Sequence, residues 1–330
     1  MTASEQQTLA PLLDQLGRLR GALAQAVVGQ AEVVEQLLIG LLAGGHCLLE
    51  GAPGLGKTLL VRSLGQALEL QFRRVQFTPD LMPSDILGTE LLEEDHGTGH
   101  RRFRFQPGPV FTNLLLADEL NRTPPKTQAA LLEAMQEHTV SYAGTTYSLP
   151  APFFVLATQN PIEQAGTYPL PEAQLDRFLL HVRVDYPSEA EERDILAQTT
   201  GSHSAQVPKV MDAAAVQALQ RQVREVHVGA DLLDWINRLV RASRPGPQAP
   251  AEVKPWVKWG AGPRAGQSLV LASKARALLH GRYAATREDV AALAAPVMRH
   301  RLLLSFAAEA EQKSADEVVA ALLRDVPFAA

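Results

Sequence analysis

An α/β core built on a parallel sheet, followed by an all-helical domain, is the architecture that the sequence predicts. Three observations predict it. Short apolar runs alternate with helical segments through the first half, a glycine-rich loop lies between one such run and a helix, and strand signals stop after Pro187. The division is placed between Pro187 and Ser188, giving a core over 1–187 and a helical domain over 188–330.

The chain opens with Leu9, Leu12, Leu13, Leu16, Leu19 and Leu23 at three- and four-residue steps, the pattern of an amphipathic helix. A second helical stretch after Val28-Gly29-Gln30 leads to an apolar strand at 46–50, which feeds the glycine-rich loop. Further runs at 72–77, 114–117, 153–157 and 181–184 suit strands covered on both faces. Past Pro187 the periodicity predicts helices at 189–200, 213–226, 232–242, 267–279, 287–298 and 315–323. The run Met298-Arg299-His300-Arg301 reads as a helix end whose positive charge suits the dipole.

Two stretches lack regular pattern. Residues 244–263 contain Trp256 and Trp259, for which packing between core and lid is a better account than a ligand. Residues 79–109 are too many for an ordinary connection. Within them Arg101-Arg102-Phe103-Arg104-Phe105 alternates charge with aromatics, as one strand of a two-faced hairpin does. Val140-Ser141-Tyr142, a turn at Ala143-Gly144 and the run 146–149 predict a second hairpin.

Composition narrows the partners. With 330 residues, 46% hydrophobic and 20% charged, the chain is globular and has a sizeable core of its own. A net charge of -5 gives no overall attraction to nucleic acid or anionic lipid. The single cysteine, Cys47, forms neither an intramolecular disulfide nor a cysteine metal cage, which fits a reducing compartment. The N-terminus lacks a signal-like pattern and no run reaches a spanning length, so a cytoplasmic location without membrane insertion is expected.

The chemistry starts at Gly51-Ala52-Pro53-Gly54-Leu55-Gly56-Lys57-Thr58, which matches G-x-x-x-x-G-K-[ST], with Leu59 next in the helix. Glycines let backbone N–H groups wrap phosphates, Lys57 reaches the β- and γ-phosphates, and Thr58 offers its hydroxyl to Mg²⁺. ATP and Mg²⁺ are therefore the expected cofactors. Hydrolysis also needs a carboxylate for the metal and a base for water, and Asp118-Glu119 supplies both at the end of an apolar run. Asp118 is the metal candidate and Glu119 the base. Asn160, at the end of the next strand, is a candidate to reach the γ-phosphate or its attacking water.

The order Val28-Gly29-Gln30, glycine-rich loop, 116–122, 157–161, 170–178 and Gly260-Ala261-Gly262-Pro263-Arg264-Ala265 resembles the MoxR family of AAA+ ATPases across essentially the whole chain. Residues 170–178 and 124–135 are particularly distinctive. The resemblance implies a P-loop αβα core with a hairpin insert at about 79–109 that interrupts a core helix, and a helical lid. It also implies a homo-oligomeric ring, usually six subunits, with ATP bound between neighbours. In that family's terms Arg177 matches the arginine finger inserted from the adjacent subunit, Arg264 matches the second sensor contacting the nucleotide from the lid, and Val28-Gly29 lie against the adenine. Gly262 departs from the serine expected before Pro263-Arg264. Remodelling or maturation of client proteins is implied too, often with a von Willebrand factor A domain partner.

Physical reasoning also favours an arginine at the γ-phosphoryl group, where negative charge grows during transfer. The competing account of Arg177 is an intrachain ion pair with Asp176 or Glu172. Arg122 stays open between nucleotide sensing and a solvated loop position. Other readings of the chain are a magnesium-chelatase-like or nucleic-acid motor subunit and, from another class, a P-loop small-molecule kinase.

Overall fold

The computed structural model describes residues 3–27, 29–52, 54–94, 101–160, 166–199 and 207–328. Helices α1 (Ala3–Ala26) and α2 (Ala31–Leu42) precede strand β1 (Cys47–Gly51), helix α3 (Lys57–Ala67) and strand β2 (Phe72–Gln76). A short helix α4 (Pro83–Leu87) runs into the hairpin β3 (Gly88–Glu94) and β4 (Arg101–Pro107). Strand β5 (Leu114–Asp118), helix α5 (Pro125–Glu137), the hairpin β6 (Thr139–Tyr142) and β7 (Thr145–Ser148), and strand β8 (Phe154–Gln159) follow. One turn of helix, α6 (Glu172–Leu175), leads into β9 (Leu180–Val184).

The remainder is mostly helical: α7 (Glu189–Thr199), α8 (Ala213–Glu225), α9 (Ala230–Ala242), then β10 (Val257–Trp259), α10 (Pro263–Leu279), α11 (Arg287–Met298), β11 (Leu303–Leu304), α12 (Phe306–Ala310) and α13 (Ala315–Asp325). The sequence reading missed the β10–β11 pairing, which is only two to three residues on each side. The two tryptophans near β10 also part company. Trp256 is buried among lid residues, whereas the pairing register shifts between Val257 and Trp259 and leaves Trp259 73% exposed, so it does not pack between core and lid.

The five-stranded sheet has the order β2-β5-β8-β1-β9, and every neighbouring pair is parallel. Its central strands read as continuous apolar runs because both faces are covered. Alternate side chains enter two cores. Leu49, Leu114, Leu116, Phe154 and Leu156 face α1, α2 and α3, while Leu48, Leu115, Ala117, Val155 and Ala157 pack with Leu131, Leu132 and Met135 of α5. The first core continues without a break into the helical region through Leu219, Trp235, Leu269 and Val290. The lid is thus docked on the sheet's helical layer by apolar burial.

The 88–107 hairpin directly follows α4. Afterwards the chain turns back on that helix, with Val110 N donating to Ile86 O at 3.1 Å, and no second helical stretch resumes before β5. The two hairpins are joined: Phe105 of β4 stacks on Tyr147 of β7 at 4.2 Å between ring centroids and also meets Tyr142. Tyr142 and Thr145 are linked by Ala143 and Gly144, both at positive φ, as a tight hairpin turn requires.

His46 shows how strictly the core fixes a polar group. Its ring accepts from Val155 N at Nδ1 (3.0 Å), so Nε2 carries the proton and donates to Met135 O (2.9 Å). Burial lowers its pKa from 6.5 to about 4, and the ring stays neutral in the fold. The unfolded chain takes up a proton there as pH falls below 6.5, so stability from this residue is full above 6.5 and is lost progressively down to about pH 4. The loss amounts to about 3 kcal/mol. Buried His300 is pushed in the same direction, chiefly by desolvation. We expect urea midpoints measured between pH 7 and 4 to fall steeply for wild type, and less steeply for His46→Gln.

Candidate active site

The carboxyl ends of parallel strands form the edge where ligands bind in open α/β sheets, and the predicted chemistry gathers there. Gly51 closes β1 against β9, and a Cβ at this position would lie 2.5 Å from Val184 O. Gly54 (φ 85°) and Gly56 (φ 73°) then adopt left-handed backbone, which wraps the loop toward α3. The first turn of α3 holds no acidic residue and no side chain caps it, so its N–H groups and dipole are available to an anion. Gln30, whose Nε2 donates to Leu55 O at 2.7 Å, ties the start of α2 to the loop.

Lys57 Nζ donates to Gly51 O at 2.6 Å. Burial lowers its pKa, and Asp118, Glu119 and Glu50 pull it back up, which places the ammonium among these carboxylates. Thr58 and Leu59 of α3 are exposed beside the loop. Gly29, at φ 76°, has the side chain of Glu191 against it. The expectations for Val28 and Pro53 fall outside the described residues.

Asp118 ends β5, and Glu119 follows at φ 56°, an uncommon left-handed conformation for a residue with a side chain. Thr158 on the adjacent β8 holds both: its Oγ1 accepts from Glu119 N at 2.8 Å and donates to Asp118 Oδ1 at 2.6 Å. Gln76 Nε2 donates to Glu119 Oε2 at 2.8 Å, and Arg122 pairs with the same oxygen at 2.9 Å. Arg74 Nη2 bonds Asp118 Oδ2 at 2.6 Å and Gln76 Oε1 at 3.0 Å. Asn160 lies just beyond β8 and is buried at the same edge.

The sequence reading missed Thr158, Gln76 and Arg74. Thr158 had a signal, a hydroxyl directly after the apolar run Phe154–Ala157, which burial obliges to find partners. Arg122 is an ion-pair partner of the candidate base rather than a solvated loop arginine. Thr158→Val keeps the shape but leaves the Glu119 N–H without its acceptor. We expect a loss of about 1–3 kcal/mol in unfolding free energy, and of turnover, with Thr158→Ser close to wild type in both.

The two remaining arginines do not join this edge. Leu180 is the register partner of Cys47 and Val184 that of Gly51, so Arg177, which precedes β9, lies at the opposite end of the sheet. The length of β1 alone separates the ends by about 13 Å. Asp176 is engaged by Arg301 Nε at 2.7 Å and by Arg264 Nη1 at 3.4 Å. The alternative of an Arg177 ion pair with Asp176 or Glu172 is not realised: among the described residues no carboxylate lies within ion-pair distance of Arg177. Arg264, at the start of α10, pairs with Asp176 just before β9, at the end of the sheet opposite the glycine-rich loop of its own chain.

Residues 46–180 match the ATPase family associated with various cellular activities (AAA), and 250–322 match the AAA lid domain. The chain is 44% identical to Chaperone MoxR1 of Mycobacterium tuberculosis, over 91% of this chain and 78% of the relative. It is 35% identical to Protein MoxR of Paracoccus denitrificans over 93% of each. The chain belongs to the MoxR family of AAA ATPases. A solved structure from Cytophaga hutchinsonii superimposes on this MoxR-family fold with a TM-score of 0.91 at 39% identity, covering 98% of both chains. The MoxR-family core accordingly binds ATP and hydrolyses it, on the parallel sheet with its helical lid. Among the described residues no helix is long and apolar enough to cross a membrane.

Proposed function

We propose that this MoxR-family ATPase acts as a homo-oligomeric ring, of six subunits, and that its turnover remodels or matures partner proteins. In the ring the P-loop edge of each subunit is completed by Arg177 and Arg264 of the next. The supporting observation is the placement of Lys57, Asp118 and Glu119 at one end of the sheet and of Arg177, without an intrachain ion pair among the described residues, at the other. Two different edges that complete one another make a head-to-tail contact, and such contacts generate a ring where the rotation between subunits closes.

In this account Lys57 and the N–H groups of the loop hold the phosphates, and Gly29, with Val28, borders the adenine. Glu119 takes the proton from the attacking water, which Asn160 orients. Arg177 of the neighbour neutralises charge growing on the γ-phosphoryl oxygens, and Arg264 of the same neighbour steadies the nucleotide. The Thr58 hydroxyl and the Asp118 carboxylate are hard oxygen donors that suit Mg²⁺. Mg²⁺ held there would neutralise the β- and γ-phosphate oxygens. Arg74 already engages Asp118 Oδ2, so Mg²⁺ held there would meet a carboxylate that already has a cationic partner.

The name of the mycobacterial relative supports a protein client. A von Willebrand factor A domain partner and a cytoplasmic location belong to the same proposal, the latter resting on the ATP requirement and on a lone thiol, Cys47, buried in β1. The test is specific activity against concentration, with assembly followed by sedimentation. Activity per chain rises with assembly if the site is shared. Flat activity across the range where assemblies dissociate overturns the shared site and favours a self-contained P-loop enzyme.

A further inference from the structure

Arg301 lies where α11 ends in a 3-10 turn, Arg299–Arg301. Its side chain is 2% exposed. A buried guanidinium is unfavourable unless its N–H groups find acceptors, and most of these find them in one turn. Nε donates to Asp176 Oδ1 at 2.7 Å. Nη2 donates to Asp176 O at 3.2 Å and Phe178 O at 2.7 Å, and Nη1 to Leu179 O at 3.3 Å. Two further bonds, to Val297 O and Ser268 Oγ, fix the guanidinium to α11 and α10.

The residues gripped bracket Arg177 on both sides. The single turn of α6 before them is too short to hold the segment by itself, and β9 begins only at Leu180. Asp176 is held from the lid a second time, by Arg264 of α10. The carbonyls on both sides of Arg177 are thus tied to a residue more than a hundred positions away in the helical region, alongside the turn's own bonds from Arg177 N to Gln174 O and from Leu179 N to His46 O.

We infer that Arg301 is a positioning residue for catalysis in the neighbouring subunit: it clamps the Asp176–Leu179 turn and thereby aims Arg177 across the subunit contact. The inference rests on the trans role of Arg177 proposed above. It makes the lid of one subunit a determinant of hydrolysis in the next, because any lid displacement moves this turn. A planar fork is required, since a lysine ammonium cannot span carbonyls on both sides of Arg177.

The experiment measures steady-state phosphate release by Arg301→Lys alone and in equal mixtures with Glu119→Gln or with Arg177→Ala, after assembly and thermal unfolding are checked. Arg301→Lys alone is expected to lose at least tenfold in kcat, with KM for ATP within twofold of wild type. Mixed with Glu119→Gln it recovers, because the intact Arg177 of that variant serves its sites. Mixed with Arg177→Ala it does not, because both variants offer a defective finger.

Recovery in the mixture with Arg177→Ala, or wild-type kcat for Arg301→Lys, overturns the inference. A role confined to its own subunit's site or fold would produce the first of these results. If Arg301→Lys does not fold or assemble, Asp176→Asn removes the clamped carboxylate and carries the same pattern of expectations. The mixture of Glu119→Gln with Arg177→Ala separates the two levels: no recovery there fails the shared-site reading itself, whereas recovery there with a contrary Arg301 pattern fails only the positioning role.

Discussion

Glu119→Gln is expected to lower kcat for ATP hydrolysis by about 10²–10⁴-fold while ATP affinity stays within about twofold of wild type. The amide has the same shape as the carboxylate and cannot accept a proton from water. Every group assigned to binding remains: Lys57 and the glycine-rich loop for the phosphates, Thr58 and Asp118 for the metal. Glu119 also keeps its left-handed backbone, because Thr158 Oγ1 bonds its N–H and not its side chain. Single-turnover phosphate release beside a fluorescent-nucleotide titration separates the two effects. A parallel loss of affinity would show that Glu119 holds nucleotide rather than water.

Arg177→Ala is expected to have an effect of similar or greater size for a different reason. A guanidinium at the γ-phosphoryl group contributes about 10³–10⁵ in rate, and alanine removes it entirely. The folded chain should scarcely register the change. Among the described residues Arg177 makes no ion pair, and substitutions away from buried networks stay within about 0.5 kcal/mol. A purified variant with a wild-type thermal midpoint and almost no phosphate release is the predicted outcome. The neighbouring Asp176→Asn behaves differently in the thermal assay, because Asp176 carries Arg301 and Arg264.

The legible parts of this protein were local. A strand, a Gly51–Thr58 loop and a helix in succession form a pattern within a dozen residues, and the structure keeps that order. Asp118-Glu119 could be found because an apolar strand ends there, and the end of α11 was marked by charge beyond Met298. The illegible parts depend on register and long-range docking. That Arg74 and Gln76 meet Asp118 and Glu119 follows from β2 pairing with β5 in a register that sets Gln76 opposite Asp118, which no local pattern states. Arg301 read only as part of a positively charged helix end, because the carbonyls that bury it belong to a turn far away in the sequence. The same limit applies to Trp259, whose outward direction is decided by an irregular two-strand pairing.

The claim on which the account depends is that one active site is built from two subunits. Equal mixtures of Glu119→Gln and Arg177→Ala, with mixed assemblies verified by tagged co-purification, test it most directly by phosphate release. Each variant alone is expected to be nearly inactive, and the mixture to recover a measurable part of wild-type turnover at interfaces that join an intact Glu119 to an intact Arg177. Verified mixed assemblies that remain as inactive as their parents would contradict the shared site.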